Sequence, residues 1–253
     1  MSYPNNPIVS LSNLYFVGYG LTWNSNTSLI ISEGQCYDST LTYPIINNGP
    51  ILLDATTHGL NGLDTGSLQP NIWYAICAIA DPSYKQFPSQ GVILTANYLG
   101  APILPSGYGI YRRIGFVKTT GASTFQQFLQ APSNSDYKFY QWESLYSVLS
   151  SGSATSFTPI SLNQAIPTTN ICYLTLSYVP AAAGSMASIR PTGTTTLAAQ
   201  CIIQFHGQVA GVEQIYSMIP IFPGNVSGIP SIDYMVSSGD ILNLSISAWN
   251  NVP

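Results

Sequence analysis

Charge is what this chain has least of. Six lysines and arginines, ten acids and two histidines leave 6% of its 253 residues formally charged, with a net charge of −4. An ordinary soluble domain carries about 25%, so most of the side chains that build acid–base, metal and phosphate sites are missing. Basic residues stand singly apart from Arg112-Arg113, which excludes the clustered cations that a phosphate backbone needs; no nucleic-acid partner is expected. The apolar stretch Ile72–Ala80 is too short to cross a bilayer, so no transmembrane helix and no membrane partner are expected. Met1–Pro7 lacks both basic residues and an apolar core, and reads as an extended arm rather than a secretory signal.

Helical periodicity is nearly absent as well. Short apolar or alternating runs bounded by Gly, Pro, Asn and Ser recur along the chain instead, which predicts an all-β fold. Strands are expected at Ser28–Ile31, Ile51–Leu53, Ile72–Ile79, Gly91–Thr95, Tyr111–Val117, Ile171–Tyr178, Ala199–Phe205, Gln214–Ile221 and Ile241–Trp249. In the last of these, Leu242, Leu244, Ile246 and Ala248 alternate with Asn243, Ser245 and Ser247, a strand with one wet face. Ile72–Ile79 is apolar on both faces, which predicts a central strand covered on both sides with a partner at each edge. Only Gln126–Gln130 and Gln141–Ser150 have helical potential, the latter through Trp142, Leu145, Tyr146 and Leu149; an aromatic-rich strand over Tyr137–Leu149 is the preferred reading. Loop-like composition near 130–155 suggests two β-sandwich, jelly-roll-like modules: an arm over 1–12, a first module over 13–135 and a second over 136–253.

No cysteine pair has C-x-x-C spacing. Cys77, Cys172 and Cys201 lie in apolar runs, and with Cys36 they are expected to be buried free thiols rather than disulfides. No G-x-S-x-G, H-E-x-x-H, P-loop or dinucleotide fingerprint occurs; Gly18-Tyr19-Gly20 and Gly107-Tyr108-Gly109 read as local turns. His58, near Asp54 and Asp64, falls in a turn-rich loop without the third ligand that a metal needs. His206 reads as a rim residue. Asp54, Asp64, Asp136, Glu143, Asp233 and Asp240 could supply a glycosidase pair only if two converged. The sequence therefore nominates no catalytic, metal-binding or cofactor-binding residue and no cofactor, and the chain is expected not to be an enzyme. Seventeen tyrosines and four tryptophans suit core packing and subunit contacts, with sugar stacking as the alternative.

Residues 54–130 carry an ordered series: Gly59–Leu68 with Asn61-Gly62 and Asp64-Thr65-Gly66, Trp73-Tyr74-Ala75-Ile76, Pro102–Tyr108, Arg112–Thr119 and Phe125–Phe128. Tyr178–Ala183, Ala187–Gly193, Ile232–Val236 and Gly239–Leu242 follow in the second half. In this order the chain resembles a group of bacteriophage and prophage virion proteins. The resemblance implies a component of the particle exterior, a head decoration or fibre or else a tail fibre or appendage, made in the bacterial cytoplasm. A homotrimer touching other capsid or tail proteins is expected, with the arm as its attachment segment; a carbohydrate-binding module recognising a host surface glycan is the alternative.

Overall fold

The computed structural model of the chain describes residues 16–83, 90–131, 138–168, 171–194 and 203–251. The arm over 1–12, the boundary expected near 135, Asp136 and Cys201 lie outside the described residues. Every regular element among the described residues is a β-strand, and every strand pairing is antiparallel. The fold is all-β. The chain divides into two compact units, one of Met1–Gln126, Pro132–Tyr137 and Pro253, the other of Gln127–Ala131 and Lys138–Val252.

The first unit opens with six short strands: β1 (Phe16–Gly18), β2 (Leu21–Ser25), β3 (Ser28–Ile31), β4 (Gly34–Tyr37), β5 (Pro44–Asn47) and β6 (Ile51–Asp54). Phe16 stands opposite Cys36, Gly18 opposite Gly34 and Leu21 opposite Ile31, so β1–β2 and β4–β3 are the two arms of one hairpin. With β5 and β6 they form two three-stranded sheets, β1-β4-β5 and β2-β3-β6, that meet at one kink level. Gly18-Tyr19-Gly20 is therefore a bend between consecutive strand halves, not a chain-reversing turn. Glycine chemistry explains it: Gly18 has φ +75°, and a Cβ there would lie 2.2 Å from the Glu33 carbonyl oxygen. A Cβ on Gly34 would lie 2.6 Å from the Tyr19 ring. Only hydrogen at both positions lets the strands fold over each other.

β7 (Trp73–Ala80) lies between β8 (Gln90–Thr95) and β9 (Ile110–Lys118), and all eight of its residues are buried. This is the doubly covered central strand that its two-faced apolar sequence requires. The outer edge of β8 is covered by the loop that follows β6. Asn61 N–H donates to Val92 O at 2.8 Å, Val92 N–H to Asn61 Oδ1 at 3.0 Å, and Asp64 N–H to Leu94 O at 2.8 Å. Leu63 bridges Leu94 in parallel, so the turn-rich Gly59–Gly66 segment satisfies a sheet edge that would otherwise be open.

The second unit holds β10 (Phe128–Gln130), β11 (Lys138–Gly152), β12 (Thr158–Ser161), β13 (Cys172–Val179), β14 (Met186–Pro191), β15 (Ile203–His206), β16 (Gln214–Ile221), β17 (Gly224–Val226), β18 (Ile229–Val236) and β19 (Ile241–Asn251). One sheet runs β10-β11-β19-β13-β16 and the other β12-β18-β14-β15, with β17 paired to β18. Without β10 and β17, eight strands remain. The first, eighth, third and sixth make one sheet, and the second, seventh, fourth and fifth the other, which is the two-Greek-key order of a jelly roll. Its core comes from the inner faces: β13 alternates buried and half-buried residues from end to end, with Cys172, Leu174, Leu176 and Tyr178 inside. Ile189 and Ala187 of β14 oppose Tyr234 and Val236 of β18, all buried.

Neither Gln126–Gln130 nor Gln141–Ser150 is helical: Phe128–Gln130 is an edge strand, and Gln141–Ser150 belongs to β11, as the strand reading has it from Lys138 onward. Register shifts lie between Gln141 and Tyr146, Ser147 and Leu149, and Leu149 and Gly152 along β11, and such irregularities displace the period of two until it mimics helical spacing. Ala248 also changes face. Ile246 stands opposite Leu174 and Ala248 opposite Tyr173, so Ser247 is a bulge, its Oγ donating to Tyr173 O at 3.0 Å. Trp249 is thereby turned into the core, opposite Cys172. There it stacks on Tyr140 at 4.9 Å between centroids and 6° between planes, with Trp142 at 4.6 Å.

Candidate functional site

A groove of about 370 Å³ opens at the kink of the first unit, lined by Val17, Gly18, Ser32, Glu33, Gly34, Gln35, Asn47 and Asn48. The same glycines that let the strands bend leave this hollow. Its polar wall is set by short bonds: Gly20 N–H donates to Ser32 Oγ at 2.8 Å, and Asn47 Nδ2 donates to Ser32 O at 3.2 Å and to Gly49 O at 2.6 Å. Gln35, Glu33 and Asn48 are exposed. The lining offers carboxamides, a hydroxyl and one carboxylate, a set able to hydrogen-bond a polyhydroxylated ligand. It has no aromatic floor. A second hollow, of about 560 Å³, lies in the jelly roll against Thr155, Met186, Met235, Val236, Ser237 and Ser238.

Among the described residues, the aspartates named from the sequence bond to their own loops and strands. Asp54 Oδ1 accepts from Thr56 N–H and Oγ1, and these bonds hold its pKa below the usual carboxylate range. Asp64 accepts from Thr65 N–H at 2.7 Å and from Ile103 N–H at 3.2 Å, tying two loops together. His58 Nε2 lies 2.6 Å from Gly66 O, a bond that closes the loop. His206 ends β15 and is exposed, and Glu143 is exposed on β11. Asp233 receives Arg190 Nε at 3.0 Å and Thr192 Oγ1 at 2.8 Å, with the Arg190 guanidinium 3.7 Å from the Phe157 ring centroid. Asp240, fully buried, accepts from Tyr178 Oη and from Ala181 N–H at 2.7 Å. Burial first and this bond second push the Tyr178 hydroxyl up to about 12. Among the described residues, no group of three or more His, Cys, Asp or Glu could hold a metal.

The sequence singled out neither Asp38 nor Lys118. Asp38 sits between β4 and β5, where Oδ1 accepts from Thr42 N–H at 2.7 Å and Tyr43 N–H at 2.9 Å. Its Oδ2 accepts from Thr40 Oγ1 at 2.6 Å and Thr40 N–H at 3.3 Å. Burial raises its pKa, but the Thr40, Tyr43 and Thr42 bonds together outweigh burial and lower it. The signal was present as Asp-Ser-Thr-Leu-Thr between two apolar runs, an Asx-type loop. Lys118 is buried at the end of β9, its Nζ 6.0 Å from the Trp73 ring centroid, and burial pushes it down to about 8. Cys36, Cys77 and Cys172 are buried free thiols, and burial pushes Cys77 and Cys172 up to about 12. Such thiols are packing groups rather than nucleophiles.

No family model matches the chain, and no curated protein does. Among solved structures, the tryptic core of a Cry1Da variant from Bacillus thuringiensis aligns at 11% identity with a TM-score of 0.22. The alignment covers 92% of this chain and 50% of that one, so the chain spans about half the length of that structure. A likeness this slight bears on neither fold nor function.

Proposed function

We propose that the protein is a non-enzymatic structural subunit on the exterior of a bacteriophage particle, either a head decoration or fibre or a tail fibre or appendage. On this reading it self-associates as a homotrimer and contacts other virion proteins. The observation that carries the proposal is the jelly roll of the second unit, an architecture used by viral capsid and lectin domains. The charge-poor composition supports it, since a surface meant for permanent packing does not need the charges that keep soluble monomers apart. The buried acids Asp38, Asp233 and Asp240 are engaged in structural hydrogen bonds. The test is the native mass of the purified protein together with immunogold electron microscopy of particles from the producing bacterium. Trimer mass and labelled particles are expected; a strict monomer that never joins a particle overturns the proposal.

The kink groove favours a second reading, a module that binds a host surface glycan through Gln35, Asn47, Asn48 and Glu33. Glycan-array binding that Gln35→Ala abolishes would support it. Silence across host polysaccharides would leave the structural reading alone.

A further inference from the structure

The chain contains two Asn-Gly dipeptides, Asn48-Gly49 and Asn61-Gly62, and the fold treats them in opposite ways. We infer that Asn48 is a site of spontaneous deamidation in the folded protein, while Asn61 is protected by its hydrogen bonds. In Asn-Gly the glycine nitrogen, unshielded by a following Cβ, attacks the asparagine Cγ and gives up its proton. The bond from Cγ to the side-chain nitrogen breaks and ammonia leaves, closing a cyclic imide. Water then adds to one imide carbonyl and opens the ring to aspartate or isoaspartate. One water enters, one ammonia departs and no electrons are exchanged.

Every group this reaction must move is pinned at Asn61. Its Oδ1 accepts from Val92 N–H, its own N–H donates to Val92 O and its carbonyl accepts from Asp54 N–H at 2.9 Å. The nucleophile is engaged too, since Gly62 N–H donates to Gly59 O at 3.0 Å. There is no space either: a Cβ on Gly62 would lie 2.5 Å from Thr57 O. Asn48 has none of this. Among the described residues its carboxamide makes no hydrogen bond and Gly49 N–H donates to nothing, while Asn48 is exposed and a Cβ on Gly49 would meet nothing within 4 Å. The one bond at Gly49 is to its carbonyl, from Asn47 Nδ2, and it leaves the attacking nitrogen free.

The position gives the reaction a consequence. Asn48 lines the kink groove beside Glu33, so conversion adds a second carboxylate to a wall that had one, in a chain whose net charge is only −4. The inference does not rest on the virion reading, since it needs only the folded first unit.

The experiment is incubation of the intact protein in warm, mildly alkaline buffer, followed by chymotryptic peptide mass mapping. The peptide with Asn48 is expected to gain about 1 Da and show isoaspartate, while the peptide with Asn61 stays unchanged over the same interval. In denaturant the two sites should convert at comparable rates, because only the folded structure separates them. Gly49→Ala, which the open space accommodates, should slow conversion at position 48 about tenfold by shielding the nucleophile. Conversion of Asn61 as fast as Asn48 in the folded protein, no conversion at Asn48, or the same disparity in denaturant would each overturn the inference.

Discussion

Asp38 shows how a scarce charge is used at the scale of one residue. Four hydrogen bonds from Thr40, Thr42 and Tyr43 converge on a carboxylate that is only 2% exposed. Asp38→Ala would leave three backbone donors without that acceptor, and a loss of about 2 kcal/mol in urea unfolding is expected. Because its folded pKa is depressed, the Asp38 contribution is complete above about pH 4 and disappears as pH falls through the folded value. The acid limb of the stability profile should therefore be shallower in the variant; an unchanged limb would refute the assignment. The alkaline limb has the opposite sign. Cys77 and Cys172 keep protons when folded that the unfolded chain releases near 9.0, so their stabilisation is complete below about pH 9 and is lost as pH climbs toward 12. Lys118 works against them: its folded pKa of about 8 lies under the ordinary 10.5, so it adds stability as pH rises between those values. Two thiols outweigh one amine. The double variant Cys77→Ala with Cys172→Ala should lose about 1 kcal/mol per site at neutral pH from packing. Its urea midpoint should fall less steeply than the parent protein's as pH rises above about 9, and an unchanged slope would sink this account.

At the scale of elements, the kink of the first unit depends on two hydrogens. Gly34→Ala drives a methyl group into the Tyr19 backbone nitrogen at 2.5 Å and its ring at 2.6 Å, and Tyr19 is fully buried. A loss of about 3 kcal/mol is expected in thermal or urea unfolding. Tyr19→Phe removes the hydroxyl that donates to Ile45 O at 3.2 Å and should cost about 1 kcal/mol. If the two variants proved equally mild, the close approach at the kink would not be what shapes these strands. The same elements show why only part of the fold was legible in the sequence. β7 and β13 could be read because their burial is uniform or strictly alternating, so composition maps directly onto the pleat. The kink could not, because Gly18 and Gly34 look like turn glycines until their mates across the hairpin are known. β11 could be read as an aromatic-rich strand, but its facing, like that of the end of β19, could not, since each bulge reverses the face of all that follows, as Ser247 does for Ala248 and Trp249. The β16 edge follows the same rule. It is long and free of charge, yet Met218 at φ +56° and the register shift between Leu174 and Leu176 break its ladder. Pro220 lacks an N–H, which completes an edge protected from strand addition without any lysine.

For the molecule as a whole, the candidate site was the least legible feature, for a reason that concerns charge. Sequence reasoning looks for ionisable groups held in reserve, and here Asp38, Asp64, Asp233 and Asp240 spend their hydrogen-bonding capacity on their own loops and strands. The groove that remains is walled by Gln35, Asn47 and Asn48, residues that look like ordinary loop chemistry until the kink gathers them. A chain so constituted has little long-range electrostatics with which to recruit partners, so any assembly it forms must rest on shape, apolar contact and neutral hydrogen bonds. Exposed Ile215, Phe222, Leu129 and Ile103, each more than 60% accessible, supply apolar surface of that kind. Salt screens charge pairs strongly, with a Debye length near 10 Å at about 0.1 M and about 3 Å at 1 M, while it leaves apolar burial intact or strengthens it. The native mass of the assembly should therefore be the same at low salt and at about 1 M sodium chloride, and sulfate should favour the oligomer. Analytical ultracentrifugation across that range checks it: dissociation on adding sodium chloride would mean that the sixteen charged side chains hold the subunits together after all, and the neutral-packing account of this composition would fail.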